Sequence, residues 1–206
     1  MKVNFLTLGN DCSPAAALRD LQYRSFALPF DWIVSSISSL EICFANKFLH
    51  FHDNLHLNKT KSRLIDSYNF EFPHDYPLTD DACVIENVGE GVFGEERGKV
   101  IVENWKDYHS TVLEKYKRRV ARFHELLGDP KPCIVLCRYR TLDVIKLQKL
   151  LSKYYNRENI YFVNTTNETY EDDRILNINT EKNNIWNETS IWKYGIDKIL
   201  TKIVNY

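Results

Sequence analysis

Cys12 is a cysteine between a predicted strand and a predicted helix, a position at which α/β proteins often carry reactive groups. The apolar residues 3–8 predict a buried strand, residues 9–11 a tight turn, and residues 13–18 the first turns of a helix. Free N–H groups and the positive end of the dipole at a helix N-terminus favour the thiolate, which is the reactive form of cysteine. The alternative is that Cys12 only fills space beneath the strand, as many free cysteines do.

The elements that must position this cysteine follow from hydrophobic periodicity along the rest of the chain. Strand patterns and helix patterns alternate, which predicts an α/β fold: a three-layer, mostly parallel sheet with helices on both faces. Residues 1–206 are expected to form a single domain, with an irregular, hairpin-containing insertion or cap at about residues 51–98. The further predicted strands are residues 25–30, 133–137, 160–163 and 174–178, and the further predicted helices are residues 40–48, 104–127, 142–155 and 189–204.

The ends of these strands supply a second set of candidate residues, because ligands of open parallel sheets bind beyond the carboxyl ends of the strands. The long helix should begin at the same edge, which would bring Asp107 and His109 near it. These polar groups are expected to converge in one crevice. The strand-end candidates are Asn10, Asp11, Cys12, Asp31, Trp32, Arg138, Arg140, Asn164 and Thr165.

Several of these residues lie in segments that carry a family resemblance. The chain resembles a domain-of-unknown-function family described as "putative papain-like cysteine peptidases", over about residues 3–138, and the Pro-Phe-Asp-Trp block is the most distinctive match. The matching segments are Leu8-Gly9-Asn10-Asp11-Cys12 with Ala15 and Leu18, Pro29-Phe30-Asp31-Trp32, His74-Asp75, residues 116–123, and Val135-Leu136-Cys137-Arg138.

The resemblance implies a cysteine nucleophile at Cys12 and a histidine base at His74, the histidine that falls in a matching motif. His74 would accept the thiol proton, a carboxylate such as Asp31 or an amide would orient the ring, and Asn10 or backbone N–H groups would hold an oxyanion. Papain-like folds carry the cysteine on a helix against an antiparallel barrel, whereas the periodicity here predicts a parallel sheet. Cysteine-dependent acyl hydrolysis or transfer is therefore the expected chemistry, and not specifically proteolysis.

Other interpretations of the same residues stay open. His74 would also fit an ordinary loop histidine paired with its neighbour, and His109 is an alternative base or substrate-binding residue. Asp31 would equally cap the following helix. Arg138 would hold a carboxylate or phosphate, or pair with Asp31. The arginines of the long helix would form a solvated basic face.

The alternative function uses the same crevice without covalent chemistry. A sugar, nucleotide or phosphate ligand would be held there by Arg138, Asp31 and Trp32. The resembling family's association with glycan synthesis lends this reading support. A third possibility is an interaction domain with no reactive thiol and no occupied crevice.

Composition restricts the partners and the compartment. The formal net charge of −1 provides no global field for nucleic acid or an anionic membrane, so the expected partner is a small-molecule, peptide or glycan-related substrate. The amino terminus lacks a signal-peptide pattern, and no segment is apolar for long enough to cross a bilayer. Five scattered cysteines without metal-binding spacing favour a reducing, cytoplasmic compartment. Oligomeric state stays open.

Two weaker patterns do not change the expectation that the site contains neither metal nor cofactor. Residues 89–94 match a G-x-G-x-x-G pattern, but no helix pattern follows and nearby glutamates would repel a pyrophosphate. His50, His52, Asp53 and His56 resemble a set of metal ligands, but no compatible partner motif follows them.

Overall fold

A parallel sheet of four strands, in the order β1-β7-β8-β9, lies at the centre of the computed structural model, which describes residues 2–79, 99–180 and 188–204. Its elements are β1 (Asn4–Thr7), α1 (Ser13–Asp20), α2 (Ile37–Ala45), β2 (His56–Leu57), β3 (Leu64–Ile65), β4 (Glu71–Phe72), β5 (Leu78–Thr79), β6 (Val100–Ile101), a 3-10 turn at Trp105–Tyr108, α3 (His109–Gly128), β7 (Cys133–Cys137), α4 (Thr141–Tyr155), β8 (Ile160–Thr166), β9 (Ile175–Asn179) and α5 (Thr189–Val204). The predicted α/β class with a parallel sheet is confirmed.

Successive strand residues point to opposite faces, so the sheet buries two separate apolar layers. Helices α2, α3 and α4 cover one face, where Val135 and Phe162 of the sheet are buried. Helices α1 and α5 cover the other face, where Ile134 and Val163 are buried. This arrangement is the predicted three-layer architecture, and it explains why β7 is a continuous apolar run with all five residues buried.

The middle of the chain forms short antiparallel strands beside this sheet. The segment predicted to contain a hairpin folds as the ladder β2-β3-β4, and β5 pairs with β6. Phe51, Phe70 and Phe72 of this region are buried in the same apolar layer as α3, so the ladder and the main sheet share one core. The ladder thereby places the residues after Phe72 beside α3.

The strand predicted at residues 25–30 is wrong, because this segment turns instead of extending. The backbone N–H of Leu28 donates to Oδ2 of Asp31, 2.6 Å away, and the N–H of Asp31 donates to the carbonyl of Leu28, 3.4 Å away. These groups are therefore satisfied within the segment and do not pair with another strand. Helix α2 begins before the predicted residue 40, because Ser36 caps it by accepting from the N–H of Ser39 at 3.1 Å.

Gly195 is a helix-interior glycine that the sequence does not explain. A Cβ at this position would lie 2.5 Å from Cγ1 of Val163 and 2.6 Å from Cδ1 of Ile178. Helix α5 therefore approaches β8 and β9 so closely that a side chain as small as a methyl group would displace its neighbours.

Candidate functional site

Cys12 lies at the N-cap position of α1, directly after the turn that leaves β1. Its carbonyl accepts the N–H of Ala16 at 3.0 Å, the first hydrogen bond of the helix. The predicted setting between strand and helix is therefore present. The side chain, however, has no exposed surface, so its environment in this conformation is that of a core residue.

Asp11 occupies the capping role beside this cysteine. Its Oδ1 accepts the backbone N–H of Ser13 at 2.9 Å and the hydroxyl of Ser13 at 2.7 Å. Nη1 of Arg138 lies 2.9 Å from the other carboxylate oxygen. A carboxylate at the start of α1 opposes a thiolate at Cys12, and the guanidinium offsets this repulsion. The predicted alternative in which Arg138 pairs with Asp31 is wrong, because the carboxylate partner of Arg138 is Asp11.

A crevice of about 330 Å³ opens beyond the carboxyl ends of β1, β7 and β8, where the strand-end rule predicts it. The cations in it are paired: Arg138 with Asp11, and Arg140 with Asp143 at 2.9 Å. Of the candidates expected to converge there, six do not line the crevice: Cys12, Asp31, Trp32, Asp107, His109 and Asn164. The residues that do are Asn10, Asp11, Arg138, Tyr139, Arg140, Asp143, Thr165 and Thr166.

Asn164 supports this crevice from below. Its side chain is fully buried; Oδ1 accepts the N–H of Tyr139 at 2.8 Å, and Nδ2 donates to the carbonyl of Tyr139 at 2.8 Å. The hydroxyl of Tyr139 in turn donates to the carbonyl of Ser35 at 2.9 Å, and the hydroxyl of Ser35 donates to the carbonyl of Gly9 at 2.5 Å. Tyr139 and Ser35, which sequence reasoning missed, connect β7 to the turn before Cys12. An apolar strand run followed by tyrosine contains no signal for such a contact.

Asp31 belongs to a buried ion pair. Nη2 of Arg24 lies 2.6 Å from its Oδ2, and the two side chains are 5% and 1% exposed. The hydroxyl of Thr7 donates to Oδ1 at 2.5 Å. The alternative in which Asp31 caps the following helix is wrong, since Ser36 caps α2. Asp31 instead connects the Pro-Phe-Asp-Trp block to β1.

His74 is the exposed residue of an otherwise anchored segment, residues 72–76. Phe72 and Pro73 are buried before it. Asp75 follows it, with a side chain 3% exposed, accepting from Nζ of Lys115 and, at 2.6 Å, from the hydroxyl of Tyr116. Next, the hydroxyl of Tyr76 hydrogen-bonds to Nε2 of His52 at 2.8 Å. With the neighbours on both sides held, the imidazole of His74 is presented at the surface.

Trp32 connects His74 to the helix that begins at Cys12. The rings of Trp32 and His74 meet edge to face, with centroids 6.4 Å apart. On its other side the guanidinium of Arg19, in α1, lies 5.4 Å from the centre of the Trp32 ring. A cleft of about 160 Å³ between α1 and the Pro-Phe-Asp-Trp block is lined by Ala15, Arg19 and Trp32, among others. His74 and α1 therefore border the same tryptophan.

His109 packs against His52, away from the crevice lining. The two rings stack with centroids 5.6 Å apart, and Nε2 of His109 lies 3.4 Å from the carbonyl of His52. Burial lowers the pKa of His52 to about 4, so its ring is neutral near pH 7. No acceptor or donor within the described residues reaches Nδ1 of His52, which is buried.

Three other described cysteines, Cys43, Cys133 and Cys137, are as fully buried as Cys12. Burial raises the pKa values of Cys43, Cys133 and Cys137, which makes their thiols poor nucleophiles. Cys83 and the G-x-G-x-x-G pattern of residues 89–94 lie outside the described residues.

The set His50, His52, Asp53 and His56 does not come together as predicted metal ligands would. Nδ1 of His50 lies 3.4 Å from Oδ2 of Asp53, whereas His52 is buried against Tyr76. Within residues 2–79, 99–180 and 188–204, no three His, Cys, Asp or Glu side chains cluster in the manner of a metal site. None of the described helices is both long and apolar enough to cross a membrane.

Comparison with known proteins finds one family. A family model described as "Putative papain-like cysteine peptidase" matches residues 3–167, which include Cys12, His74 and the whole of β7 and β8. No curated protein and no solved structure matches the chain at a significant level.

Proposed function

Since the chain belongs to this family of putative papain-like cysteine peptidases, we propose that it is a cysteine-dependent hydrolase or acyltransferase in which Cys12 is the nucleophile and His74 the base. The family match supports cysteine chemistry in general terms. The assignment of the two residues is our own, and it starts from their places in the fold.

The reaction would proceed in two balanced steps. His74 accepts the proton of the Cys12 thiol, and the sulfur attacks the acyl carbon to form a C–S bond. Backbone N–H groups at the start of α1, with Asn10, hold the oxyanion, and the leaving group departs with the proton from His74. Water or another nucleophile then attacks the thioester, gives its proton to His74, and releases the acyl product, after which the thiol is restored.

The observation that carries this proposal is that His74 is exposed at the surface between neighbouring residues that are held in place. Its two following neighbours are anchored by α3 and by His52, and its ring meets Trp32, which also contacts α1. Because Cys12 is buried, the proposal also requires an opening movement around the start of α1 before an acyl group reaches the sulfur.

We expect iodoacetamide to alkylate Cys12 at least tenfold faster at pH 7 than Cys43, Cys133 or Cys137, because the opening movement at the start of α1 that the proposal requires would expose Cys12, whereas the other three stay buried with raised thiol pKa values. Rates would be measured peptide by peptide by mass spectrometry under native conditions. His74→Ala should slow the reaction of Cys12 about tenfold, because the base is lost.

The matched control is His50→Ala, which removes a histidine whose side chain is 50% exposed and paired with Asp53. It should leave the Cys12 rate unchanged. A native Cys12 that reacts no faster than the other three, or an equal effect of the two histidine variants, rejects the proposal.

The crevice at the carboxyl ends of the strands favours a second candidate, non-covalent binding of a sugar or a sugar-bearing ligand. Its cations are each paired with a carboxylate, so hydroxyl groups suit it better than a free phosphate. The buried network of Asn164 and Tyr139 holds its floor.

For this candidate we expect a monosaccharide to raise the melting temperature in a thermal-shift panel that also includes inorganic phosphate. Arg138→Ala should abolish the shift, because Arg138 lines the crevice and its loss leaves the carboxylate of Asp11 unpaired there. Cys12→Ala and the remote Arg174→Ala should retain the shift. A shift that survives Arg138→Ala, or a panel without any shift, counts against this candidate.

A further inference from the structure

A second pocket, of about 480 Å³, opens beside His74 on the α3 side. It lies between the segment that follows His74 and the first half of α3. Its polar and charged lining includes His74, Asp75, Tyr108, Thr111, Lys115 and Arg118. The pocket is therefore adjacent to the proposed base and separate from the crevice at the strand ends.

The charges in this pocket do not cancel. Asp75 is the carboxylate among its described lining residues, and its oxygens are taken by Lys115 and by the hydroxyl of Tyr116. Lys115 balances Asp75. Arg118 is exposed and forms no ion pair with any residue in the described part of the chain. Among the described residues, one guanidinium charge at the opening of the pocket therefore has no carboxylate partner.

The excess of positive charge continues along the same helix. Helix α3 carries five lysines and arginines against two glutamates. Arg119 lies over the ring of Tyr116 at 5.2 Å, and its Nη1 is buried without a hydrogen-bond partner among the described residues. Arg122 lies one turn beyond Arg118, at i+4 on the same face. By contrast, Lys117 is paired with Glu114 at 2.6 Å.

We propose that this pocket binds a carboxylate side chain of the substrate, so that the protein acts on acidic peptides. The assignment as a substrate subsite rests on the proposed function, because it places the carboxylate beside His74. The guanidinium of Arg118, which has no carboxylate partner in the described part of the chain, matches a single negative charge, and the hydroxyls of Thr111 and Tyr108 add donors suited to carboxylate oxygens. A doubly charged phosphate would leave one charge without a partner in the pocket.

Binding can be measured without turnover by using the Cys12→Ala protein. The probes are fluorescein-labelled hexaglutamate and hexaglutamine peptides, followed by fluorescence anisotropy at 50 and 150 mM salt. We expect hexaglutamate to bind at least tenfold more tightly than hexaglutamine, and Arg118→Gln to weaken hexaglutamate binding at least fivefold.

Lys117→Gln is the matched control. It removes one positive charge from the position directly before Arg118 in the same helix, and that charge is already paired with Glu114. It should change binding less than twofold. If both variants weaken hexaglutamate binding equally, the effect is due to the net charge of the protein and the proposal is overturned. Equal binding of hexaglutamate and hexaglutamine would also overturn it. Tenfold tighter binding of a phosphoserine peptide would overturn the choice of a carboxylate.

The outcomes separate this inference from the proposed function. Hexaglutamate binding that depends on Arg118, together with an unreactive Cys12, would leave an anion pocket but reject catalysis by Cys12. A reactive Cys12 without hexaglutamate binding would reject only the acidic-peptide assignment.

Discussion

Replacing Arg24 with methionine is expected to lower the free energy of unfolding by about 3–5 kcal/mol, the cost of removing one partner of a buried ion pair. The substitution would leave the carboxylate of Asp31 at 1% exposure without its cation. The hydroxyl of Thr7 and the N–H of Leu28 would still donate to it, but neither carries a full charge. Urea unfolding followed by tryptophan fluorescence measures the change.

Two further variants test the cause of this loss. Arg24→Met combined with Asp31→Asn should recover a large part of it, because no buried charge is then left unpaired. Lys193→Met breaks an exposed pair with Asp197, at 54% and 51% exposure, and should cost less than about 1 kcal/mol. An Arg24→Met protein within 1 kcal/mol of wild type would contradict a structural role for the pair.

The single variant Asp31→Asn tests the predicted catalytic role of Asp31. If this carboxylate orients His74, a folded Asp31→Asn protein should lose as much Cys12 reactivity as His74→Ala. If it only connects the Pro-Phe-Asp-Trp block to β1, stability should fall while the reactivity of Cys12 is retained.

Replacing His52 with phenylalanine is expected to make the stability of the protein fall as pH rises from 4 to 6. Burial lowers the pKa of His52 to about 4, below its usual 6.5. The unfolded chain therefore takes up the proton first, and the contribution of His52 is full above pH 6.5 and is lost as pH falls towards 4. The shift corresponds to about 3 kcal/mol.

Asp66 acts in the opposite direction over nearly the same range. Burial raises its pKa to about 6, although the N–H groups of His52, Tyr68 and Phe70 partly oppose this. Its contribution is full below the unfolded value of about 3.9 and is lost as pH rises through 6, again by about 3 kcal/mol. Together, His52 and Asp66 should therefore contribute little net slope to the stability of the wild-type protein between pH 4 and 6.

Replacing either residue leaves the pH dependence of the free energy of unfolding that the other residue contributes. His52→Phe should become less stable as pH rises from 4 to 6, and Asp66→Asn should become more stable as pH rises from 4 to 6.5. Urea unfolding at each pH gives the free energy of unfolding, and its slope against pH is the quantity compared. Lost packing lowers this free energy equally at every pH, so it does not change the slope. The rings and charged groups that face His52 are all kept in this variant: Phe72, Tyr76, His109, Tyr116, Asp75 and Lys115. Parallel slopes in wild type and His52→Phe would show that His52 titrates normally.

The family resemblance and the architecture were accessible from the sequence. Helix α5 and strand β7 have the predicted bounds, and the parallel three-layer sheet is the predicted one. The periodicity of apolar residues and the positions of turn residues are local features of the sequence, so they indicate strands and helices without knowledge of tertiary contacts. The crevice at the strand ends followed from the same topology, because parallel strands bring their carboxyl ends to one edge.

The partners of individual polar side chains were decided only by the tertiary structure. Asp31 is bound to Arg24 and Arg138 to Asp11, whereas sequence reasoning allowed Arg138 to pair with Asp31. Likewise, a cysteine at a helix start is fully buried, while the histidine between two anchored neighbours is exposed. Charge pairing and burial depend on which segments meet after folding, and residues far apart in sequence leave no local pattern that specifies those meetings.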